Sequence, residues 1–228
     1  MLILALDTTT RTGSCALTRD GVVVHSLTSD PAVSHAEHLP RDLMSLLGAA
    51  GVGLDAVDLF AVATGPGSFT GLRVGIATMQ GLAFATGKPL IGISALDALA
   101  SLATAPAGDL VATWVDAWRG EVYAAHYENG HASEPATVEH PAAILPRFAG
   151  RHVVFIGDGT ASFSQQIRDT LGDRASFAEP AAPMLAGAIA RLAADAARAG
   201  ARPMPDAIRP LYVRRLEAER ARDARTGQ

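Results

Sequence analysis

The sequence predicts an α/β protein made of two βββαβα units in tandem. Short apolar runs of strand length alternate with segments of helical spacing, and the same order of elements returns after residues 105–108, which marks an internal structural duplication although the halves share little sequence. The chain has 228 residues, 49% hydrophobic and 18% charged, enough to bury a sizeable core. The expected units are residues 1–104 and 105–204, with a helix over 205–228 folding back on the first.

In the first unit, Leu2–Leu6 reads as a buried strand ending at Asp7. Strands over Ser14–Thr18 and Val22–Leu27 follow, joined through Asp20-Gly21, a strong hairpin signal. Ser34-His35-Ala36-Glu37 fits a capping box and launches a helix to about Ala50, with Leu39, Leu43, Leu46 and Leu47 on one stripe. Leu59–Ala63 is a further strand. The chain then turns through Gly65-Pro66-Gly67 into a helix from about Thr70 to Thr86, capped by Ser68 or Thr70. That helix is apolar nearly all round, so it is covered on more than one side. Gly75 and Gly81 each cost about 1 kcal/mol against alanine in a helix interior. A close backbone is the expected reason, one side lying on the chain's own sheet and the other open to a partner. A strand over Leu90–Ile93 and a helix over Ala95–Thr104, capped by Ser94, complete the unit.

Past the linker Ala105–Gly108, strands are expected over Leu110–Val115 and Glu121–Tyr127. Asn129-Gly130 turns the chain into a weaker strand near Ala136–Val138. A short helix over Pro141–Phe148, a strand over Val153–Ile156 and a helix over Ser162–Leu171 come next. Pro183 starts an alanine-rich helix that Gly200 ends. The tail, Tyr212–Arg225, alternates arginine with acidic residues and reads as a solvated terminal helix.

Composition narrows the function. Net charge is −4, so no strong basic footprint for nucleic acid is present, and a role in RNA chemistry leans on a more basic partner. Cys15 is the sole cysteine, which excludes an internal disulfide and fits a reducing compartment. No run reaches transmembrane length, and the N-terminus has no basic region before its apolar run, so the expected location is the cytoplasm. The glycine loop fits no nucleotide motif: Gly65 to Gly71 is one residue too long for a P-loop, with Leu72-Arg73 where the lysine belongs. Gly67 and Gly71 are likewise misplaced for the dinucleotide fingerprint.

The blocks LALDTTT (4–10), SHAEHLP (34–40), TGPGSFTGLRVG (64–75), ISALDALA (93–100), VDAWRGEVYAA (115–125), IGDG (156–159) and PLYVR (210–214) run almost end to end. In them the chain resembles the TsaB family of the actin-like ATPase superfamily, whose duplicated, ribonuclease H-like fold matches the tandem units. The resemblance implies a non-catalytic partner of TsaD, the paralogue that transfers threonylcarbamoyl to the tRNA adenosine beside the anticodon, with the ATPase TsaE also required. ATP and metal sites would then belong to TsaD and TsaE, with no cofactor here and only indirect contact with tRNA. Pairing with TsaD would run through helices 34–50 and 70–86. The residues expected at that interface are His35, His38, Leu39, Leu43, Phe69, Leu72, Arg73, Gly75 and Met79. A homodimer through the same helices is expected when the paralogue is absent.

Superfamily ATPases grip phosphate with Asp-x-Gly turns, where glycine lets backbone N–H groups approach the anion. Here Asp7 is followed by Thr8-Thr9, and Asp116 by Ala117-Trp118-Arg119. Both lack the close glycine, so Asp7, Thr9, Asp116, Arg119 and the loop Gly157-Asp158-Gly159 read as vestigial nucleotide loops. His35 and His38 share a helix face without an evident third ligand, and no metal is expected. An independent ATP-dependent enzyme using the cleft between the halves is the rival reading. A glycoprotease-like peptidase is poorer: Ser68, His35 and Asp7 are available, but no G-x-S-x-G elbow holds a serine.

Overall fold

A computed structural model describes residues 1–213. Strands β1 (Leu2–Asp7), β2 (Ser14–Arg19), β3 (Val22–Thr28), β4 (Leu59–Gly65) and β5 (Leu90–Ser94) form one sheet in the order β3-β2-β1-β4-β5. The second sheet uses β6 (Leu110–Asp116), β7 (Val122–Glu128), β8 (His131–Ala132), β9 (Thr137–Glu139), β10 (Val153–Ile156) and β11 (Ala175–Phe177). Its order is β11-β10-β6-β7-β8, with β9 also on β7, so the second half repeats the first.

The helices are α1 (His35–Ala49), α2 (Phe69–Thr86), α3 (Ala95–Ala100), α4 (Pro141–Ile144), α5 (Gly159–Leu171) and α6 (Ala186–Arg198). They make five layers. Leu4, Leu6, Leu17, Phe60 and Val62 of the first sheet bury against α1 and α2. Ile3, Ala61 and Ile91 on its other face meet α3 and α6, which also cover Val111, Val115 and Ile156 of the second sheet. Trp114, Phe155, Ile144, Phe148, Ile167 and Leu171 close the far side. Small side chains bring α6 close to the first sheet: Ala186, Ala190, Ala193 and Ala194 are all buried.

Most boundaries fall within a residue or two of expectation, and the differences have local causes. The third helix ends at Ala100 instead of Thr104, and the Ser101 carbonyl beyond it accepts from Arg191 of α6 at 2.8 Å. α6 begins at Ala186, three residues after Pro183, where the Ala186 N–H reaches Ser14 Oγ at 3.3 Å. The Asn129-Gly130 turn feeds the two-residue β8, and the expected weaker strand appears as β9. The three-residue β11 was not expected.

The C-terminal expectation is corrected in part. Residues 205–213 form an extended strap with a single 3-10 turn at Pro205–Ala207. The strap does lie on the first unit: Gln80 Nε2 donates to the carbonyls of Pro205 (2.8 Å) and Ile208 (3.1 Å), and Leu211 N–H to Thr64 O (2.7 Å). Gly92 makes room for it, since a Cβ there would press on Thr64 and Ile208. The remainder of the expected terminal helix falls outside the described residues.

Candidate functional site

Three sequence blocks meet at one place, the loop after β1. Ser68 N–H donates to Thr9 O at 2.7 Å, and Thr8 Oγ donates to Gly71 O at 2.8 Å. A Cβ on Gly67 would stand 2.5 Å from Thr9 O, on Gly71 2.2 Å from Thr8 O, and on Gly75 2.2 Å from Thr8 Oγ. The glycines therefore exist so that the first turns of α2 can seat on this chain's own 8–9 backbone. Ser68 is the residue that caps α2, accepting from Gly71 N–H at 3.2 Å. From the other side, His35 at the start of α1 places Nε2 2.9 Å from Thr10 O. Ser34 N–H donates to Glu37 at 3.2 Å, the expected reciprocal bond of the capping box.

This seat occupies the turn that the resemblance to actin-like ATPases leads one to expect at a phosphate. Asp7 Oδ1 accepts from both Thr9 N–H (2.9 Å) and Thr9 Oγ (2.7 Å). Burial pushes the Asp7 carboxyl above the ordinary carboxylate range, against the pull of the Thr9 bonds. The second half repeats the device: a Cβ on Gly157 would stand 2.1 Å from Trp114 O, and one on Gly159 3.0 Å from it. Asp158 Oδ1 accepts from Asp116 N–H at 3.0 Å, and burial again raises its carboxyl. Gly157 and Gly159 thus answer to the end of β6.

Between the halves lies a cleft of about 410 Å³ lined by Asp7, Thr9, Arg11, Asp116, Trp118 and Asp158. Trp118 and Arg119 both adopt left-handed backbone, at φ 55° and 58°, and Trp118 is 54% exposed at the cleft wall. Among the described residues no group of three or more His, Cys, Asp or Glu side chains is placed to share a metal ion. Ser68 is spent on its cap and His35 Nε2 on Thr10, so the peptidase residues make their bonds elsewhere.

The residues expected at a partner surface divide sharply. Leu39, Leu43, Leu72 and Met79 are buried in the chain's own core, and Gly75 lies on Thr8. His38 is also buried, its Nδ1 2.8 Å from Asp42 Oδ2, although neither ring nitrogen makes a well-aligned hydrogen bond. Those six are corrected: all of them face this chain's own sheet and loops. His35 is half-buried, while Phe69 and Arg73 are exposed. The face that α1 and α2 leave exposed is built mainly of smaller residues, because the sheet claims the largest apolar ones. It comprises Ala77, Gly81, Phe84 and Ala85 of α2, with Pro40, Met44 and Gly48 of the neighbouring α1. Gly81, already marked in the sequence by its propensity cost, lies in the open, since a Cβ there meets nothing within 4 Å.

Comparison with known proteins adds three findings. The family model described as TsaD, tRNA N6-adenosine threonylcarbamoyltransferase, matches residues 29–222. The tRNA threonylcarbamoyladenosine biosynthesis protein TsaB of Escherichia coli is 38% identical over 153 residues, 64% of this chain and 66% of that relative, so the match spans about two thirds of its length. Among solved structures, YeaZ from Pseudomonas aeruginosa superposes with a TM-score of 0.74 at 30% identity, covering 92% of this chain and 99% of that one. A more distant likeness, component A of (R)-2-hydroxyglutaryl-CoA dehydratase from Acidaminococcus fermentans (TM-score 0.53, 12% identity), concerns the fold alone.

Proposed function

The chain belongs to the TsaB family, within the group that the TsaD model describes, and from that premise we propose that it is an accessory subunit of tRNA threonylcarbamoyladenosine formation. It pairs with a TsaD-type paralogue through the outer face of α1 and α2, and supports threonylcarbamoyl transfer without performing it. TsaE and tRNA join the assembly mainly through the paralogue, and ATP and metal chemistry reside in the other subunits.

One observation carries this reading. Gly81 sits in the middle of an 18-residue helix, fully in the open, between the exposed small residues Ala77 and Ala85. A helix-interior glycine costs about 1 kcal/mol and gains this chain no contact. A closely approaching helix from another molecule accounts for it, and exposed Phe84 and Met44 supply apolar area beside it. The test is Gly81→Arg, a substitution the free subunit accommodates. Loss of co-purification with the paralogue, at unchanged circular dichroism and melting temperature, is expected; intact pairing would sink the proposal.

The rival, an ATP-dependent enzyme working from the inter-lobe cleft, draws on the three aspartates gathered there. Titration calorimetry with Mg-ATP separates the two. Micromolar binding abolished by Asp7→Asn with Asp116→Asn would favour the rival.

A further inference from the structure

At the first turn of α2 an exposed cluster takes no part in the chain's core. The Arg73 guanidinium lies 3.9 Å from the centre of the Phe69 ring, and its Nε donates to Tyr212 Oη at 3.1 Å. The Phe69 and Tyr212 rings are 5.7 Å apart. Phe69, Leu211 and Tyr212 are each more than two fifths exposed. The cluster is held in place from behind: Leu211 N–H is bonded to Thr64 O, and Gln80 grips the strap two turns further along α2.

We infer that this ring–guanidinium–ring cluster is an RNA contact, in which an unpaired base stacks on Tyr212. Stacked aromatic and arginine planes are what unpaired bases rest on, and a preformed cluster loses little freedom on binding. Charge favours RNA over an apolar protein segment. Although the whole chain is acidic, the fifteen residues that follow Val213 hold five arginines against three acidic residues, beginning with Arg214-Arg215. Arg11 and the amino termini of α1 and α2 line a hollow of about 330 Å³ on the adjoining side of the same turn. Positive charge therefore adjoins the rings in space at Arg73 and follows them in sequence from Arg214. The choice of RNA rests on the tRNA role proposed above; the stacking geometry does not.

The experiment is a fluorescence-anisotropy titration of a labelled anticodon stem-loop RNA at two salt concentrations. It is run with the isolated chain and with its assembly with the paralogue, and pairing is followed separately by gel filtration. Tyr212→Ala is expected to weaken RNA binding about tenfold. Tyr212→Phe, which keeps the ring and loses only the hydroxyl, should bind as the parent does. Arg73→Gln should weaken binding and make it less sensitive to salt. RNA affinity unchanged by Tyr212→Ala in both arms would overturn the inference, as would a Tyr212→Ala chain that loses the paralogue and keeps the RNA. If Gly81→Arg leaves pairing intact, the docking proposal falls while the isolated-chain arm still decides this one.

Discussion

The helices α2 and α5 occupy the same place in the two halves, and only one of them is dressed as a surface helix. Each follows, through a glycine turn, the strand that runs parallel to the first strand of its unit, and each seats that turn at the end of that first strand. Beyond that point they diverge. α5 turns Ser162, Gln165, Arg168 and Asp169 to water, the polar face expected of a helix packed on one side. α2 exposes Ala77, Gly81, Phe84 and Ala85 instead. Duplication supplied one scaffold twice, and the contrast separates what the scaffold requires from what one copy does with it. The glycines at the turns belong to the scaffold, whereas Gly81 belongs to α2 alone.

The comparison breaks most readily at those turns. Gly71→Val would drive a side chain into Thr8 O, and Gly157→Val into Trp114 O with φ at +117°. Each is expected to cost about 3 kcal/mol or more, read as a fall in urea midpoint at constant m-value. If either variant keeps the parental midpoint, the shared role of the two turns is wrong. Gly81→Ala lies at the other extreme. It should stabilise the isolated subunit by about 1 kcal/mol, because only helix propensity changes.

The paired aspartates sharpen the comparison through pH. Burial raises the carboxyls of both Asp7 and Asp158. The native state therefore holds their protons to a higher pH than the unfolded chain does, and each subtracts stability as pH climbs above the ordinary aspartate value of 3.8. Asp7→Asn and Asp158→Asn should each flatten the decline in unfolding free energy between about pH 4 and neutrality. The larger effect belongs to Asp7, which is 3% exposed. Equal slopes in parent and variants would show that the aspartates are solvated. The smallest effect concerns Cys15, whose thiol burial pushes up to about 12. A disulfide reagent at pH 8 should leave it untouched in the folded chain and modify it fully in urea.

Much of this molecule was legible before its coordinates. Strand-length apolar runs, the Asp20-Gly21 and Asn129-Gly130 turns and the S-x-x-E box located elements to within a residue or two, because each acts through neighbours in sequence. The tandem order of the units also survived intact. The site was harder to read. Gly75 and Gly81 sit six residues apart on one helix and carry the same propensity cost, yet one faces Thr8 and the other open space. Helical spacing cannot say which side of a nearly all-apolar helix the sheet will claim. The second cover of α2 is also long-range, since the strap that Gln80 grips arrives more than a hundred residues later. The cleft aspartates were found by their turn pattern, but their partners, Thr9 for Asp7 and the Asp116 N–H for Asp158, emerge only once the loops close.

That late-arriving strap has a consequence for biosynthesis. α2 can form its helix and lie on the first sheet while the second half is still being made, but Gln80, Thr64 and Arg73 wait for residues 205–212. The ribosome adds residues 205–212 long after α2, so one flank of α2 stays bare until they emerge. A chain truncated before residue 205 therefore lacks the finished flank.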